Sequence, residues 1–310
     1  MNRNRKEMET GKSENRQKGN LSQTPEKENG RDMHPIINHL VQLQELTLIR
    51  EEERVTWDGK HLEQLDASIR GMTTKLPTDV RGIFETVRKK DLIAVAPISN
   101  GACAGCGMGL AISQIQAIRL EREVQVCPNC SRILYYTESL PRRVSKRARR
   151  TEPRKIGITR FSSENLIIPT LESEDMEGII CELACLMESE GFVDSGDKLT
   201  EAALRREAIL GTAVEHGLAF PHARGVEGGG LALAMGISRK GVKFNPKAPG
   251  LSHLIFFIAI PTAANAFYLK LLSGLAQTFN GAEARKTLMA EEDRKKLWKT
   301  LVKLTRRAIP

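Results

Sequence analysis

The sequence is short of aromatic residues and of long apolar runs. Phe, Trp and Tyr make up 5% of its 310 residues, and the longest apolar run, Leu254–Ile260, has the length of a strand and ends at Pro261. A helix that crosses a bilayer needs about 20 apolar residues, so we expect no membrane span. The first 32 residues carry 14 charges and few large apolar side chains, which is unlike a secretory signal.

Cysteine is also scarce. Of the six cysteines, four form two Cys-x-x-Cys pairs, and Cys181 and Cys185 lie four residues apart in an apolar helical stretch. This usage excludes a disulfide-rich secreted scaffold and favours a reducing, cytoplasmic location. We predict that Cys181 and Cys185 pack in the core, because free cysteine is among the most buried residue types.

Most of the net charge of +9 comes from one segment. Eight of the fourteen residues from Arg142 to Lys155 are Lys or Arg, and we interpret residues 138–160 as a basic linker. Such a run can neutralise nucleic-acid phosphates without reading sequence, or it can act as a self-repelling spacer between domains. Residues 1–33 lack aromatic side chains and are rich in charge, which predicts a disordered tail.

From Val41 to Leu76 an apolar residue recurs at every seventh position, which is the spacing of a coiled-coil helix. The residues in this phase are Val41, Leu48, Val55, Leu62, Ile69 and Leu76. The phase continues through Gly59, which favours one helix, or a shallow break, over a hairpin turn. Pro77 ends this helix, and a shorter one follows over about residues 78–90. We therefore predict coiled-coil helices over residues 34–91, with a coiled-coil oligomer as one use of them.

Residues 92–137 are too few for an ordinary hydrophobic core, and they contain both cysteine pairs. The pairs are Cys103 with Cys106 and Cys127 with Cys130, separated by 20 residues. This spacing is typical of a zinc ion held by four thiolates. Four sulfur ligands leave no position for water, so the predicted Zn²⁺ is structural rather than catalytic.

The segments NGACAGCGM (100–108) and CPNCSRILY (127–135) resemble the C4-type zinc-ribbon proteins that carry an N-terminal coiled-coil hairpin. A weaker resemblance is to transcription factors that probe RNA polymerase with a coiled coil beside a four-cysteine finger. The first resemblance implies a binding module for nucleic acid or protein, and the fold alone does not choose between these targets.

Residues 161–310 show the pattern of an α/β domain. Helices are predicted near residues 175–190, 198–209 and 266–279, strands over 231–237 and 253–260, and a charged helix closes the domain. Together with the preceding segments, this gives a multidomain chain: a helical coiled coil, a zinc ribbon, a linker and an α/β domain.

The segment from Arg205 to Arg224 reads RREAILGTAVEHGLAFPHAR. It resembles the phosphotransferase-system enzyme IIA domain of the fructose, mannitol and nitrogen-related type, whose phosphorylated histidine lies in a Gly-hydrophobic-Ala-hydrophobic-Pro-His motif. The likeness extends over residues 165–305. It implies a mixed sheet flanked by helices, and a phosphohistidine carrier in which His222 receives the phosphoryl group.

The chemistry of this motif can also be read from its residues. A neutral imidazole can attack phosphorus with one nitrogen if a hydrogen bond holds the other, and Arg206 and Arg224 are placed to spread the charge of a phosphoryl group. The family has a second histidine at the start of the helix after the last strand. Tyr268 stands there in this chain, and a phenol carries no positive charge near neutral pH.

The combined features favour a cytoplasmic regulator whose His222 accepts phosphate from a histidine phosphocarrier protein. Two alternatives stay open. One is a sugar-transport component that passes the phosphoryl group to an enzyme IIB partner, and the other is a non-catalytic adaptor that binds nucleic acid or protein.

Overall fold

The computed structural model describes residues 35–56, 61–121, 123–137, 155–227, 230–244 and 250–309. The predicted tail, residues 1–33, and the basic run up to residue 154 lie outside these ranges. Among the described residues, no helix is both long enough and apolar enough to cross a bilayer.

Three helices open the described chain: α1 (Pro35–Thr56), α2 (Leu62–Thr74) and α3 (Thr78–Arg88). The helices α1 and α2 are antiparallel. Near one end of the pair, His39 Nε2 lies 2.8 Å from the carbonyl oxygen of Met72, and nearer the other end Arg50 Nε donates to Asp66 Oδ1 at 2.8 Å. The prediction of one helix running through Gly59 was therefore wrong.

The seven-residue repeat misled because its members have different partners. Ile69 and Leu76 pack in a cluster that joins the three helices to the following sheet, whereas Val55 packs against the core of the C-terminal domain. Apolar spacing records that a position is buried and does not record what buries it. The repeat is thus compatible with two shorter helices.

A small four-stranded sheet follows the helices. Its strands are β1 (Val95–Ser99), β2 (Ala102–Cys103), β3 (Gln125–Val126) and β4 (Ile133–Tyr135), in the order β2-β1-β4-β3, and α4 (Ile112–Leu120) lies between β2 and β3. The side chain of Gln44 ties α1 to this sheet. Its Oε1 accepts from the N–H groups of Ala94 and Val95 at 2.7 Å, and its Nε2 donates to the Val95 carbonyl at 2.8 Å.

The C-terminal domain is a six-stranded mixed sheet with helices on both faces. The strands are β5 (Ile167–Ile168), β6 (Ala213–Val214), β7 (Leu218–Ala219), β8 (His222–Val226), β9 (Ala232–Val242) and β10 (Ser252–Pro261). The helices are α5 (Met176–Ser189), α6 (Gly196–Glu207), α7 (Asn265–Asn280), α8 (Ala282–Met289) and α9 (Arg294–Thr305). The predicted helices and strands of this domain are confirmed.

The strand β10 organises the domain. It pairs antiparallel with β9 along one edge and parallel with β7 and then β8 along the other. Its side chains alternate between two cores, as strand geometry requires: Phe256 and Ile258 face the cluster with α7, and Ile255 and Phe257 face the cluster with α5. The two outer edges of the sheet are formed by short strands, β5 on one side and β6 on the other.

The prediction for Cys181 and Cys185 was wrong. On α5 the core positions are Ile179, Ile180, Leu183, Ala184 and Met187. Cys181 is half-buried and Cys185 is exposed, with their sulfurs 3.8 Å apart. Both cysteines lie beside the apolar stripe of the helix rather than within it.

Candidate metal centre and active site

The four predicted metal ligands come together in the small sheet. The sulfurs of Cys103, Cys106, Cys127 and Cys130 all lie within 4.8 Å of one another. The sulfurs of Cys103 and Cys130 are 3.8 Å apart, and those of Cys106 and Cys127 are 3.6 Å apart. Four ligands at about 2.3 Å around a tetrahedral zinc place their sulfurs about 3.8 Å apart, so the donor set and its spacing fit Zn²⁺.

Two tight turns aim the paired sulfurs at one point. In the first, the Cys103 carbonyl accepts from the N–H of Gly107 at 2.7 Å, and in the second the Cys127 carbonyl accepts from the N–H of Ser131 at 2.9 Å. Gly107 has φ of +77°, a conformation in which glycine avoids the strain that a side chain introduces. Local sequence therefore builds each half of the metal centre, and strand pairing brings the halves together.

The residues predicted for phosphate chemistry also meet, at the end of β10. His222 opens β8 and is 1% exposed. Its Nδ1 lies 3.0 Å from the carbonyl oxygen of Phe220 and 3.2 Å from the hydroxyl of Tyr268. Because a carbonyl oxygen only accepts, we assign a proton to Nδ1. Nε2 is buried.

Both predicted arginines flank this ring. Arg224 is two residues after His222, so strand alternation puts the two side chains on one face of the sheet. Arg224 donates to Asn265 Oδ1 in the first turn of α7, and its guanidinium carbon lies 5.1 Å from the centre of the Tyr268 ring. Arg206 reaches the same place from the last turn of α6, where its side chain also donates to the Leu210 carbonyl at 2.8 Å.

A residue that the sequence did not single out completes the site. Glu52 of α1 is 5% exposed, and its Oε1 lies 3.0 Å from Nε2 of His222. The carboxylate also forms ion pairs with both arginines, at 2.5 Å for Arg206. Glu45, seven residues earlier on α1, lies 3.6 Å from Arg206 Nε and 3.7 Å from Arg224 Nε.

The electrostatics follow from this packing. Burial by itself would raise the pKa of Glu52, but the charges of His222 and of the two arginines outweigh burial and hold that pKa well below its usual range. Burial raises the pKa of Tyr268 well above its usual value, and the negative charge of Glu52 adds to that rise. The site therefore holds a charged carboxylate and an un-ionised phenol.

No pattern in the sequence marks Glu52. It stands in the run Glu51-Glu52-Glu53, a pattern typical of an exposed helix face, and its partners Arg206 and Arg224 are more than 150 residues further along the chain. The tertiary packing of α1 on the C-terminal domain, which includes contacts with α7, makes this glutamate part of the site.

Known proteins match two parts of the chain. Residues 160–303 match the family model of the phosphoenolpyruvate-dependent sugar phosphotransferase system, EIIA 2, and residues 102–134 match the C4-type zinc ribbon domain. The chain is 31% identical over 135 residues to the PTS system fructose-specific EIIABC component of Bacillus subtilis. That match covers 44% of this chain and 21% of the relative, so the chain spans about a fifth of its length.

Solved structures that resemble the C-terminal domain include two IIA proteins. The nitrogen regulatory protein IIA-Ntr of Neisseria meningitidis is 23% identical, with a TM-score of 0.42, and the match covers 46% of this chain and 96% of that one. IIA mannitol of Escherichia coli is 17% identical, with a TM-score of 0.38 and the same coverage. Residues 102–134 thus match a C4-type zinc ribbon domain, and their four cysteines form a structural zinc site. Residues 160–303, which contain His222, Arg206, Arg224 and Tyr268, match a phosphotransferase-system EIIA domain.

Proposed function

We propose that His222 is the residue that accepts the phosphoryl group, that a histidine phosphocarrier supplies it, and that Nε2 is the attacking atom. One observation carries this proposal: Nδ1 is engaged by the Phe220 carbonyl, while Nε2 faces the Glu52 carboxylate, which is held by two guanidinium groups. When that carboxylate moves away, a neutral imidazole held through Nδ1 keeps its proton there and presents a lone pair on Nε2.

The transfer is a direct exchange of nitrogen–phosphorus bonds. The Nε2 lone pair forms a bond to phosphorus, and the bond from phosphorus to the carrier's imidazole breaks. The bonding electrons return to the carrier ring, which leaves neutral because its other nitrogen holds a proton. His222 keeps its own proton on Nδ1, against the Phe220 carbonyl. Arg206 and Arg224 stabilise the charge on the phosphoryl oxygens, and Tyr268 helps to fix the ring.

Labelling by a phosphoenolpyruvate-driven phosphocarrier chain tests the assignment. We expect His222→Ala to abolish the label and to keep the fold, because the ring is a nucleophile and the apolar cores are complete without it. The matched control is His216→Ala, which alters an exposed histidine of the same domain and should leave labelling unchanged. Label that persists in His222→Ala refutes the site, and an unlabelled wild-type chain with several phosphocarriers supports the non-catalytic adaptor.

We further propose that this phosphorylation regulates a binding activity of the zinc ribbon. The helix α1 supports this, because it contacts the ribbon through Gln44 and the active site through Glu52. The rival is sugar transport, in which an enzyme IIB partner receives the phosphoryl group. The name of the Bacillus subtilis relative, a fructose-specific EIIABC component, favours that rival. Rapid transfer from the labelled chain to an added enzyme IIB supports transport, and no transfer supports regulation.

Three finer proposals accompany this function. Residues 142–155 contact nucleic acid through phosphates, so replacing their Lys and Arg residues with Gln should weaken gel shifts of all sequences alike and remove most of the salt dependence. The alternative for this segment is a spacer, which an absence of any gel shift supports.

A coiled-coil oligomer stays a prediction that light scattering on the full chain tests. A cytoplasmic location suits a protein that carries thiolate ligands and takes phosphate from a phosphocarrier.

A further inference from the structure

We propose that α1 is an intramolecular inhibitor of the EIIA site, with the Glu52 carboxylate occupying the position of the incoming phosphoryl group, so that phosphorylation of His222 and docking of α1 exclude each other. This inference rests on the proposed role of His222. It adds a control on that role, exerted by a segment outside the EIIA domain.

The distances leave no room for both groups. In a conformation ready to react, the attacking and attacked atoms are about 3–3.5 Å apart. Oε1 of Glu52 already stands 3.0 Å from Nε2 of His222. Phosphorus and the carboxylate therefore compete for the same position in front of the nucleophile.

The same carboxylate also uses the positive charges that a phosphoryl group needs. One of its oxygens pairs with Arg206 and the other with Arg224, which is how a pair of arginines would hold a bound phosphate. Glu45 adds a second negative charge 3.6 Å from Arg206 and 3.7 Å from Arg224. The two acids are seven positions apart, so both lie on one face of α1, and that face is complementary to the phosphoryl site.

The burial of His222 also indicates that docked α1 blocks phosphorylation. His222 is 1% exposed with α1 in place, and a phosphocarrier must bring its own phosphohistidine to within bonding distance of Nε2. The helix must therefore move first. It is attached to the ribbon through Gln44 and through a common apolar cluster with Ala94, Val95 and Ile133, so release of Glu52 changes the position of α1 against the domain and carries a signal toward the ribbon.

Linkage makes the coupling reciprocal. Phosphate on His222 should favour undocked α1, and any ligand of the ribbon that favours undocked α1 should speed phosphorylation. The two states differ in the group that bridges the two arginines: it is the Glu52 carboxylate when α1 is docked and the phosphoryl group when α1 is undocked.

The test compares initial rates of phosphorylation by a phosphocarrier chain for the wild type, Glu52→Gln and Glu51→Gln. Glu51 is the adjacent control, because it pairs with Arg50 and Arg54 and not with the site. We expect Glu52→Gln to be labelled about tenfold faster or more, as for a site that is open in a minority of molecules, and Glu51→Gln to match the wild type. Equal rates, or a slower Glu52→Gln, overturn the inhibitor.

A second measurement keeps the result clear if Glu52→Gln is unstable. Hydrogen exchange of the wild type should show faster exchange in α1 after phosphorylation, and none of this change in His222→Ala treated in the same way. Unchanged exchange in a fully phosphorylated wild type overturns the inference. If no variant carries label on His222, the proposed function fails instead, so the two failures are distinguishable.

Discussion

The metal centre and the His222 site differ in where the groups that close them come from. In the ribbon, each of the four sulfurs is positioned for the same metal ion, and the apolar cluster around them is small, formed by buried residues such as Ala96, Ile98 and Leu134. In the C-terminal domain, the large cores on both faces of the sheet are complete without His222, and Nε2 faces a carboxylate from a separate segment, Glu52 of α1. A site closed by its own local ligands stabilises a fold, whereas a site closed by a separate helix can open for chemistry.

The largest expected effect is on the ribbon. We expect about one zinc per chain and loss of that zinc in Cys127→Ser, with unfolding of residues 92–137, because metal binding to a structural site supplies about 10–16 kcal/mol of folding free energy. Hydrogen exchange should show little change in the C-terminal domain. Metal analysis and exchange mapping check this, with Cys181→Ser as the control that keeps zinc. A ribbon that stays folded in chelator would contradict the prediction.

The next effect concerns the charges beside His222. In a Glu52→Gln background, Arg206→Gln should lower the rate of phosphorylation about 100-fold, since removal of one preorganised donor to a developing negative charge commonly costs this much. Arg205→Gln is the matched control, because Arg205 precedes it on α6 and pairs with Glu201 at the surface. Rapid-quench labelling measures both rates, and equal losses in the two variants would remove the special role of Arg206.

A smaller effect is expected at Tyr268. Tyr268→His should raise the phosphorylation rate by about tenfold if the absent second histidine limits transfer, because an imidazole can share proton movement that a phenol cannot. Tyr268→Phe, which removes only the hydroxyl 3.2 Å from Nδ1, should lower the rate. If Tyr268→His leaves unchanged a rate that is already rapid, the phenol is an adequate substitute and the transport function gains support.

The smallest effect is the pH dependence of the Glu52 contribution to stability. Because its pKa is lowered in the folded chain, Glu52 stabilises the fold above its unfolded pKa of about 4.3, and that stabilisation is lost as the pH falls through the folded value. The difference in unfolding free energy between the wild type and Glu52→Gln should stay constant from about pH 6 to pH 5, where a histidine is protonated in both the folded and the unfolded chain and Glu52 is still charged. Denaturant titrations check this, and a difference that already halves by about pH 5 would contradict it.

The parts that the sequence predicted are those that short spacing specifies. The zinc ligands lie in two Cys-x-x-Cys turns, and His222 and Arg224 lie two residues apart on one strand, so local geometry fixes each pair. Tyr268 is singled out by the resemblance to the enzyme IIA family, which has a histidine at the start of the helix after the last strand, and the structure places Tyr268 there, in the first turns of α7 after β10.

The parts that the sequence did not predict depend on distant contacts. The antiparallel packing of α1 on α2 and the insertion of Glu52 between two arginines both need partners that no local pattern identifies. The three consecutive glutamates at positions 51–53 are alike in sequence, yet Glu51 pairs at the surface of its own helix while Glu52 is buried beside His222.

The most direct measurement is heteronuclear NMR of the phosphorylated, ring-labelled histidines of the full chain, with the modified residue identified by comparison with His222→Ala. Since Nδ1 is held by the Phe220 carbonyl and Nε2 faces the arginines, phosphate should appear on Nε2 of His222, with the proton retained on Nδ1. Phosphate on Nδ1, or on any other residue, would contradict the assignment of His222 Nε2 as the nucleophile.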